Sequence, residues 1–221
     1  HGAVDDPDPD LLVGQLLQRS LDRLGGALDV RLDDEVEVLD LALLHLAEEV
    51  VQRISRHAAL LSANGGGITF SGGEALSQAK FVLAVRKLLP GMHACIETSG
   101  YAPAESYQQV ARQMDLVIQD IKLLDPAAHR YYTGVDNAMI LHNVRWLVHS
   151  GIPFRIRVPL IPTVNDNPAM MEGIVHLLEG AHALEKVELL PYNTAAGAKY
   201  AGLSMDLSLI HISEPTRPIS I

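Results

Sequence analysis

Five short apolar segments alternate with amphipathic segments between residues 65 and 190, and this alternation constrains the fold more than any other feature. The apolar segments lie at 67–71, 93–98, 116–121, 154–159 and 186–190, and the helical patterns lie near 77–89, 103–113, 137–149 and 168–179. Short strands that alternate with helices form right-handed βαβ units around a parallel sheet. Since a complete barrel of this kind has about eight strands, the sequence predicts an α/β fold with an open sheet or a partial (β/α) barrel.

A glycine-rich stretch surrounds the first predicted strand. Gly65-Gly66-Gly67 precedes the strand, and Gly72-Gly73-Glu74 follows it. Adjacent glycines at the carboxyl end of a strand let a ligand approach the backbone N–H groups, but a turn that needs positive φ has the same signature. Both interpretations stay open on the local sequence alone.

Polar residues follow the predicted strands at their carboxyl ends. These ends carry Gly72-Gly73-Glu74, Glu97-Thr98, Asp120-Ile121-Lys122, Arg157 and Asn193. In a parallel sheet such ends lie at one edge, where α/β folds bind ligands. The carboxylates suit a cation or an ammonium group, whereas Lys122 and Arg157 suit a carboxylate or a sugar. A zwitterionic ligand with a ribose would satisfy all of them, and no acid–base pair or activated nucleophile is visible, so the sequence predicts a pocket for a cofactor that performs the reaction itself.

Composition excludes several classes of partner. The net charge is −10 and no long basic run occurs, which argues against nucleic acid and anionic membranes. No apolar run is long enough to span a bilayer. The single cysteine, Cys95, cannot form an internal disulfide framework. Upstream of the glycine-rich stretch, the patterns predict a helix at 11–24, an exposed strand or hairpin at 29–41 and a helix at 47–61.

Five motifs occur in a fixed order along the chain: GGGITFSGGE at 65–74, ETSGY at 97–101, DIK at 120–122, RVPLIP at 157–162 and LLPYN at 189–193. Together they resemble the activating enzymes of glycyl radical enzymes, in the radical SAM superfamily, over about residues 44–205. The resemblance implies a partial (β/α)6 barrel that binds S-adenosylmethionine (SAM). It also implies an oxidoreductase in which a [4Fe–4S] cluster cleaves SAM to a 5′-deoxyadenosyl radical, which takes a hydrogen atom from a glycine of the partner enzyme.

The resemblance also implies roles for individual residues. Gly72, Gly73 and Glu74 correspond to the motif that holds the SAM amino group, and Asp120 and Lys122 correspond to a pair near the methionine carboxylate and the ribose. The implied SAM site comprises Gly72, Gly73, Glu74, Thr98, Asp120, Ile121, Lys122, Arg157 and Asn193. Glu97, Thr98, Ile118 (through its carbonyl) and Asp120 correspond to a monovalent-cation site. No catalytic side chain is implied, because the cofactor performs the chemistry.

The implied partners are a glycyl radical enzyme as protein substrate and an electron donor of the flavodoxin or ferredoxin type. Neither nucleic acid nor a membrane is implied as a partner. We expect a monomer that works anaerobically in the cytoplasm.

One departure from the family concerns its cluster. The family holds the [4Fe–4S] cluster through a Cys-x3-Cys-x2-Cys motif upstream of the glycine-rich stretch, and residues 1–94 contain no cysteine. Cys95 lies within a predicted strand, where a small buried residue is the simpler interpretation. We therefore expect that these residues cannot assemble the cluster.

Two interpretations of this departure stay open. In the first, the chain is an activating enzyme truncated at both ends, with an N-terminal segment at 1–43, the barrel at 44–205 and a non-native tail at 206–221 that resembles translated adapter DNA and adds nothing to the fold. In the second, the chain is a cluster-free α/β protein that binds a nucleoside, an amino acid or a partner protein without radical chemistry.

Overall fold

The computed structural model describes residues 35–63, 65–191 and 219–220, which fall into two compact units. Among these residues, the first unit comprises 35–63, 65–67 and 80–92. The second unit comprises 68–79, 93–191 and 219–220.

The first unit is helical. It contains α1 (Glu35–Ser55), α2 (Ala58–Ala63) and most of α3 (Ala79–Leu88). The predicted strand at 29–41 is wrong from Glu35 onward, because Leu39, Leu43 and Leu46 continue a helical spacing that outweighs the short alternation before them. Residues 29–34 and the predicted helix at 11–24 lie outside the described residues. No helix in the described ranges is long and apolar enough to cross a bilayer.

The second unit is built on one sheet. Its strands, in spatial as well as chain order, are β1 (Gly67–Phe70), β2 (His93–Thr98), β3 (Leu116–Asp120), β4 (Phe154–Pro159), β5 (Leu184–Leu190) and β6 (Ile219–Ser220). Strands β2 to β5 pair in parallel, with Thr98 opposite Gln119 and Asp120 opposite Arg157. The sheet is open rather than closed, so the prediction of an α/β partial barrel is confirmed.

The helices of the second unit are a short 3-10 turn (Ala75–Gln78), α4 (Ala104–Ala111), α5 (Pro126–Thr133), α6 (Ala138–Ser150) and α7 (Pro168–Leu177). The sequence analysis missed α5, which is too short to show an apolar period. Its boundaries nevertheless carry ordinary signals. Asp125 accepts a hydrogen bond from the Ala128 N–H (2.7 Å), Pro126 occupies the first turn, and Gly134 ends the helix at φ 83°.

The two faces of β4 differ in character. Phe154, Ile156 and Val158 are fully buried, whereas Arg155 and Arg157 between them are partly exposed. Since side chains alternate across a strand, the arginines lie on the face opposite the core. The two charged residues of β4 therefore lie on one face of the sheet.

A short strand close to the C-terminus pairs with the sheet. In β6, Ile219 lies antiparallel opposite Leu189 and Ser220 lies opposite Glu188. The pairing of these two residues differs from the expectation that nothing after residue 206 adds to the fold. Such pairing is possible because an edge strand offers unpaired backbone groups to any extended segment. Residues 206–218 and 221 lie outside the described residues, and the origin of the segment stays a prediction.

Candidate functional site

A pocket lies in the second unit at the carboxyl ends of β2 and β3. Its lining residues are Glu74, Ser99, Tyr101, Asp120, Lys122, His129, Thr133, Val135 and Ile140. The pocket thus brings together three of the residues predicted to bind SAM, namely Glu74, Asp120 and Lys122. Its volume is about 180 Å³, which is below the ~300 Å³ at which pockets for drug-sized ligands begin. It would enclose one end of such a ligand.

Glu74 is held by the chain itself. Its Oε1 accepts hydrogen bonds from the Leu76 N–H (3.0 Å) and the Thr98 hydroxyl (2.6 Å). Its Oε2 accepts from the Ser99 N–H (2.9 Å) and the Ser99 hydroxyl. These bonds fill the roughly four acceptor positions of a carboxylate. Glu74 therefore joins the loop after β1 to the loop after β2 and gives the pocket a negative charge, and its predicted bond to an amino group stays a prediction.

The glycines after β1 are open to solvent. Gly72 has φ 128°, a conformation that favours glycine, so the turn interpretation accounts for this residue. A Cβ atom at either Gly72 or Gly73 would meet no atom within 4 Å. The backbone here is accessible to a ligand, and the ligand interpretation remains open for both glycines.

Asp120 and Lys122 are the charged groups that the chain leaves available. Within the described residues, no hydrogen bond to the Asp120 carboxylate and no ion pair of the Lys122 ammonium is found. Burial raises the pKa of Asp120 to about 6, although Lys122 and Arg157 oppose the rise. One negative and one positive group therefore line the same pocket, which suits a zwitterionic ligand.

Arg157 belongs to a charged network on the face of the sheet opposite the core. Its Nη1 donates to Glu97 Oε1 (2.6 Å), and its Nε donates to Glu188 Oε2 (3.1 Å). Ser71 donates to the other oxygen of Glu97 (2.6 Å), and Lys186 lies 2.7 Å from Glu188. Burial alone would raise the pKa of Glu97, but the hydrogen bonds from Ser71 and Arg157 lower it below its usual range. Glu97 is thus ionised and already neutralised by Arg157.

The predicted monovalent-cation site lies on the neighbouring strands β2 and β3. Glu97 bonds to Ser71 and Arg157, and the Thr98 hydroxyl donates to Glu74. No group of three or more His, Cys, Asp or Glu side chains that could hold a metal ion occurs in the described part of the chain. The cation site, with Ile118 and Asp120 as its other members, stays a prediction.

Two further predicted residues have different outcomes. Ile121 is buried, and its N–H donates to the Arg157 carbonyl (2.8 Å), which extends the pairing of β3 with β4 toward the pocket. Asn193 lies outside the described residues.

The sequence analysis missed a buried amide that supports the pocket wall. Gln119 is fully buried, and its Nε2 donates to the carbonyls of Ser99 (2.8 Å) and Asp120 (2.9 Å). Its Oε1 accepts from the Tyr107 hydroxyl (2.9 Å). Because Ser99 in turn holds Glu74, Gln119 fixes the geometry of the site. The signal in the sequence was an amide inside an otherwise apolar strand.

A second buried amide, Asn143 on α6, was also missed. Its Nδ2 donates to the carbonyls of Gly100 and Ala102, both at 2.9 Å. The loop after β2 is therefore anchored from two sides. The signal was an asparagine on the apolar face of a predicted helix, where a buried polar group needs a partner.

Cys95 does not suit cluster binding. It is 6% exposed and packs with Leu116 and Ile118. Burial raises the pKa of its thiol to about 11, so it is protonated at neutral pH. Since three thiolates are needed and the sequence contains one cysteine, these 221 residues do not fit a [4Fe–4S] cluster. The available charges of Asp120 and Lys122, which line one pocket with Glu74, do fit the zwitterionic end of SAM.

An open parallel α/β sheet with charged groups at its strand ends defines a partial-barrel protein, a class in which ligands bind at this edge of the sheet. Comparison with known proteins agrees. The sequence profile of the Radical SAM superfamily matches residues 43–174. The pyruvate formate-lyase-activating enzyme of Clostridium pasteurianum is 33% identical over 74% of this chain and 69% of its own length. The trans-4-hydroxy-L-proline dehydratase activating enzyme of Clostridioides difficile is 36% identical over 69% of this chain and 52% of its own length.

A solved structure is similar as well. A domain of pyruvate-formate lyase-activating enzyme from Bacteroides vulgatus superimposes with a TM-score of 0.54 at 27% identity, over 68% of this chain and 98% of that domain. The chain belongs to the radical SAM superfamily, within the group of activating enzymes of glycyl radical enzymes. It spans about half the length of several of the curated relatives it matches.

Proposed function

We propose that this chain is the SAM-binding body of an activating enzyme that generates a glycyl radical on a partner enzyme. The observation that carries the proposal is the convergence of Glu74, Asp120 and Lys122, from three separate segments, on one pocket at the strand ends. Membership of the radical SAM superfamily supports it. When bound in enzymes of this family, SAM supplies the 5′-deoxyadenosyl group.

Within the pocket, each charged residue has a proposed role. Lys122 donates to the ligand carboxylate, since its ammonium has no ion pair among the described residues. Asp120 accepts from the donors of the ligand, since no described residue hydrogen-bonds its carboxylate. Glu74 keeps the loops after β1 and β2 together, so that the N–H groups near Gly73 face the ligand amino acid. Arg157, Thr98 and Asn193 complete the proposed SAM site.

The proposed protein partner is a glycyl radical enzyme. This follows from the names of the relatives, which are activating enzymes for pyruvate formate-lyase and for trans-4-hydroxy-L-proline dehydratase. We further propose a flavodoxin- or ferredoxin-type electron donor, a monomeric state and a cytoplasmic location.

Titration calorimetry of the 221-residue chain tests the ligand. We expect SAM to bind more tightly than either methionine or adenosine alone, because only SAM carries both the amino-acid group and the ribose that the proposed site residues would bind. Lys122→Met should weaken SAM about tenfold or more, as expected for loss of one hydrogen bond to a charged group. Lys80→Met is a matched control, because Lys80 forms an exposed ion pair with Asp40 in the other unit. Equal binding of SAM and adenosine, or no effect of Lys122→Met, would contradict the proposal.

A second candidate function rests on Cys95. Because one buried cysteine cannot hold the cluster, the second candidate is a protein that binds a nucleoside or an amino acid without radical chemistry. The two candidates differ in their protein partner. Co-elution of the chain with a glycyl radical enzyme in gel filtration favours the activating enzyme, whereas SAM binding without any such complex favours the second candidate.

A further inference from the structure

His129 lines the pocket, yet the site described so far assigns it no role. It lies on α5, the helix that follows the Asp120–Lys122 segment, and its side chain is 3% exposed. It shares the pocket wall with Asp120 and Lys122. The hydrogen-bond partners of both ring nitrogens therefore have to be identified.

The contacts of the ring determine its tautomer. Nδ1 lies 2.8 Å from the Val135 carbonyl oxygen and 2.9 Å from the Thr133 hydroxyl oxygen. A carbonyl only accepts hydrogen bonds, so Nδ1 must carry the proton. In a neutral imidazole, Nε2 then presents a lone pair and acts as an acceptor.

Nε2 has no hydrogen-bond donor among the described residues. Nε2 is not among the fully buried side-chain atoms that lack a partner, so it is accessible from outside the protein interior. Here the ring meets open space at the pocket wall. A donor on a bound ligand would complete the hydrogen bonding of the ring.

We propose that His129 Nε2 accepts a hydrogen bond from a ribose hydroxyl of the bound ligand and so determines specificity for a ribonucleoside. The inference rests on the proposed function, because it assumes that SAM occupies the pocket. A hydroxyl both donates and accepts, which matches a wall with the acceptors His129 and Asp120 and the donor Lys122.

Two substitutions distinguish the hydrogen bond at Nδ1 from the one at Nε2. In His129→Asn the amide nitrogen lies near the position of Nδ1, so the bond to Val135 is kept and the acceptor at Nε2 is lost. In His129→Gln the longer side chain places an amide oxygen near Nε2, so the acceptor is kept. We expect His129→Asn to melt like the wild type but to bind SAM about three- to tenfold more weakly, the range for one neutral hydrogen bond. His129→Gln should keep most of the affinity.

Ligands without the hydroxyls test the assigned donor. The affinity difference between wild type and His129→Asn should disappear for either 2′-deoxy- or 3′-deoxy-SAM. A difference that persists with both analogues would overturn the assignment to the ribose. Unchanged SAM binding in His129→Asn, or a loss of affinity that follows a loss of stability in both variants, would overturn the role of Nε2. Failure of the wild type to bind SAM at all would instead contradict the proposed function.

Discussion

Arg157 on β4 donates a hydrogen bond of 2.6 Å to Glu97 on β2, across the intervening strand β3. The same guanidinium donates to Glu188 on β5 at 3.1 Å. One side chain therefore connects three strands on the face opposite the core. The sequence pointed to Arg157 as a ligand-binding residue, and the structure adds a stabilising function to it.

Substitution of Arg157 should destabilise the fold. Arg157→Met leaves Glu97 and the almost fully buried Glu188 without their shared partner. Glu188 keeps Lys186 at 2.7 Å, but the partly buried Glu97 then has no ion pair among the described residues, so we expect the free energy of unfolding to fall by about 2–3 kcal/mol. Urea denaturation at neutral pH measures it.

Arg155→Met is the matched control for this substitution. Arg155 lies on the same face of β4 but forms a more exposed pair with Glu185, at 2.7 Å. An exposed pair contributes about 0–1 kcal/mol. Equal losses from the two substitutions would show that the network around Arg157 has no special role.

Gly100 should be intolerant of a side chain. It has φ 76°, and a Cβ atom there would lie 2.8 Å from the buried amide of Gln119. Gly100→Ala should therefore lower the melting temperature by more than Gly151→Ala, where φ is 74° but a Cβ atom meets nothing within 4 Å. Both positions share the cost of a side chain at positive φ, about 1–2 kcal/mol, so the difference reports displacement of Gln119. Equal melting temperatures would contradict the proposed anchoring of the loop.

The buried carboxyl of Asp120 predicts a pH-dependent stability. Its pKa in the fold, about 6, lies above its usual value, so folding favours the protonated form. The stability that the protonated carboxyl gives the fold, relative to the ionised carboxyl, is complete below about pH 4 and is lost as the pH rises through about 6. Asp120→Asn cannot ionise, so it should exceed the wild type in stability by about 1–3 kcal/mol at pH 8 and equal it at pH 4.

Asp136→Asn is the control with the opposite sign. Hydrogen bonds from the Ala138 N–H and from Arg130 lower the pKa of Asp136. The ionised Asp136 therefore stabilises the fold above the usual pKa of a carboxyl, and this stabilisation is lost at lower pH. Asp136→Asn should for that reason not stabilise the chain at pH 8. Denaturation at pH 4 and pH 8 compares both variants, and a stabilising effect of Asp120→Asn at pH 4 as large as at pH 8 would refute the account of Asp120.

Anaerobic treatment of the 221-residue chain with iron and sulfide should not produce a redox-active [4Fe–4S] cluster. The sequence contains one cysteine, and its thiol is buried and protonated. Absorption and electron paramagnetic resonance spectra check this. A reducible cluster at one per chain, with 5′-deoxyadenosine formed from SAM, would contradict it.

Much of the fold could be predicted from the sequence, because β-branched segments between amphipathic helices have few alternatives to a parallel sheet. The convergence of Glu74, Asp120 and Lys122 followed from that topology. The bonding state of each group could not be predicted. Whether Glu74 is saturated by Thr98 and Ser99, or Asp120 is left without a bond, depends on distances of tenths of an ångström between distant segments.

Short elements were also beyond the sequence analysis. The eight residues of α5 show no apolar period, so His129 was not placed at the pocket. The alternation of apolar and charged residues at 35–41 suggested a strand. These seven residues are the beginning of a longer helix, whose period is visible only over a longer window.

The most direct test measures SAM affinity and stability on the same variant, Asp120→Asn. If Asp120 faces the ligand, the substitution removes a charge-assisted hydrogen bond and should weaken SAM binding about 10- to 100-fold. The same variant should be more stable than the wild type at pH 8, so the loss cannot be ascribed to unfolding. Calorimetric binding and thermal melting at that pH give both values. Unchanged SAM affinity in the stabilised variant would contradict the assignment of this pocket to SAM.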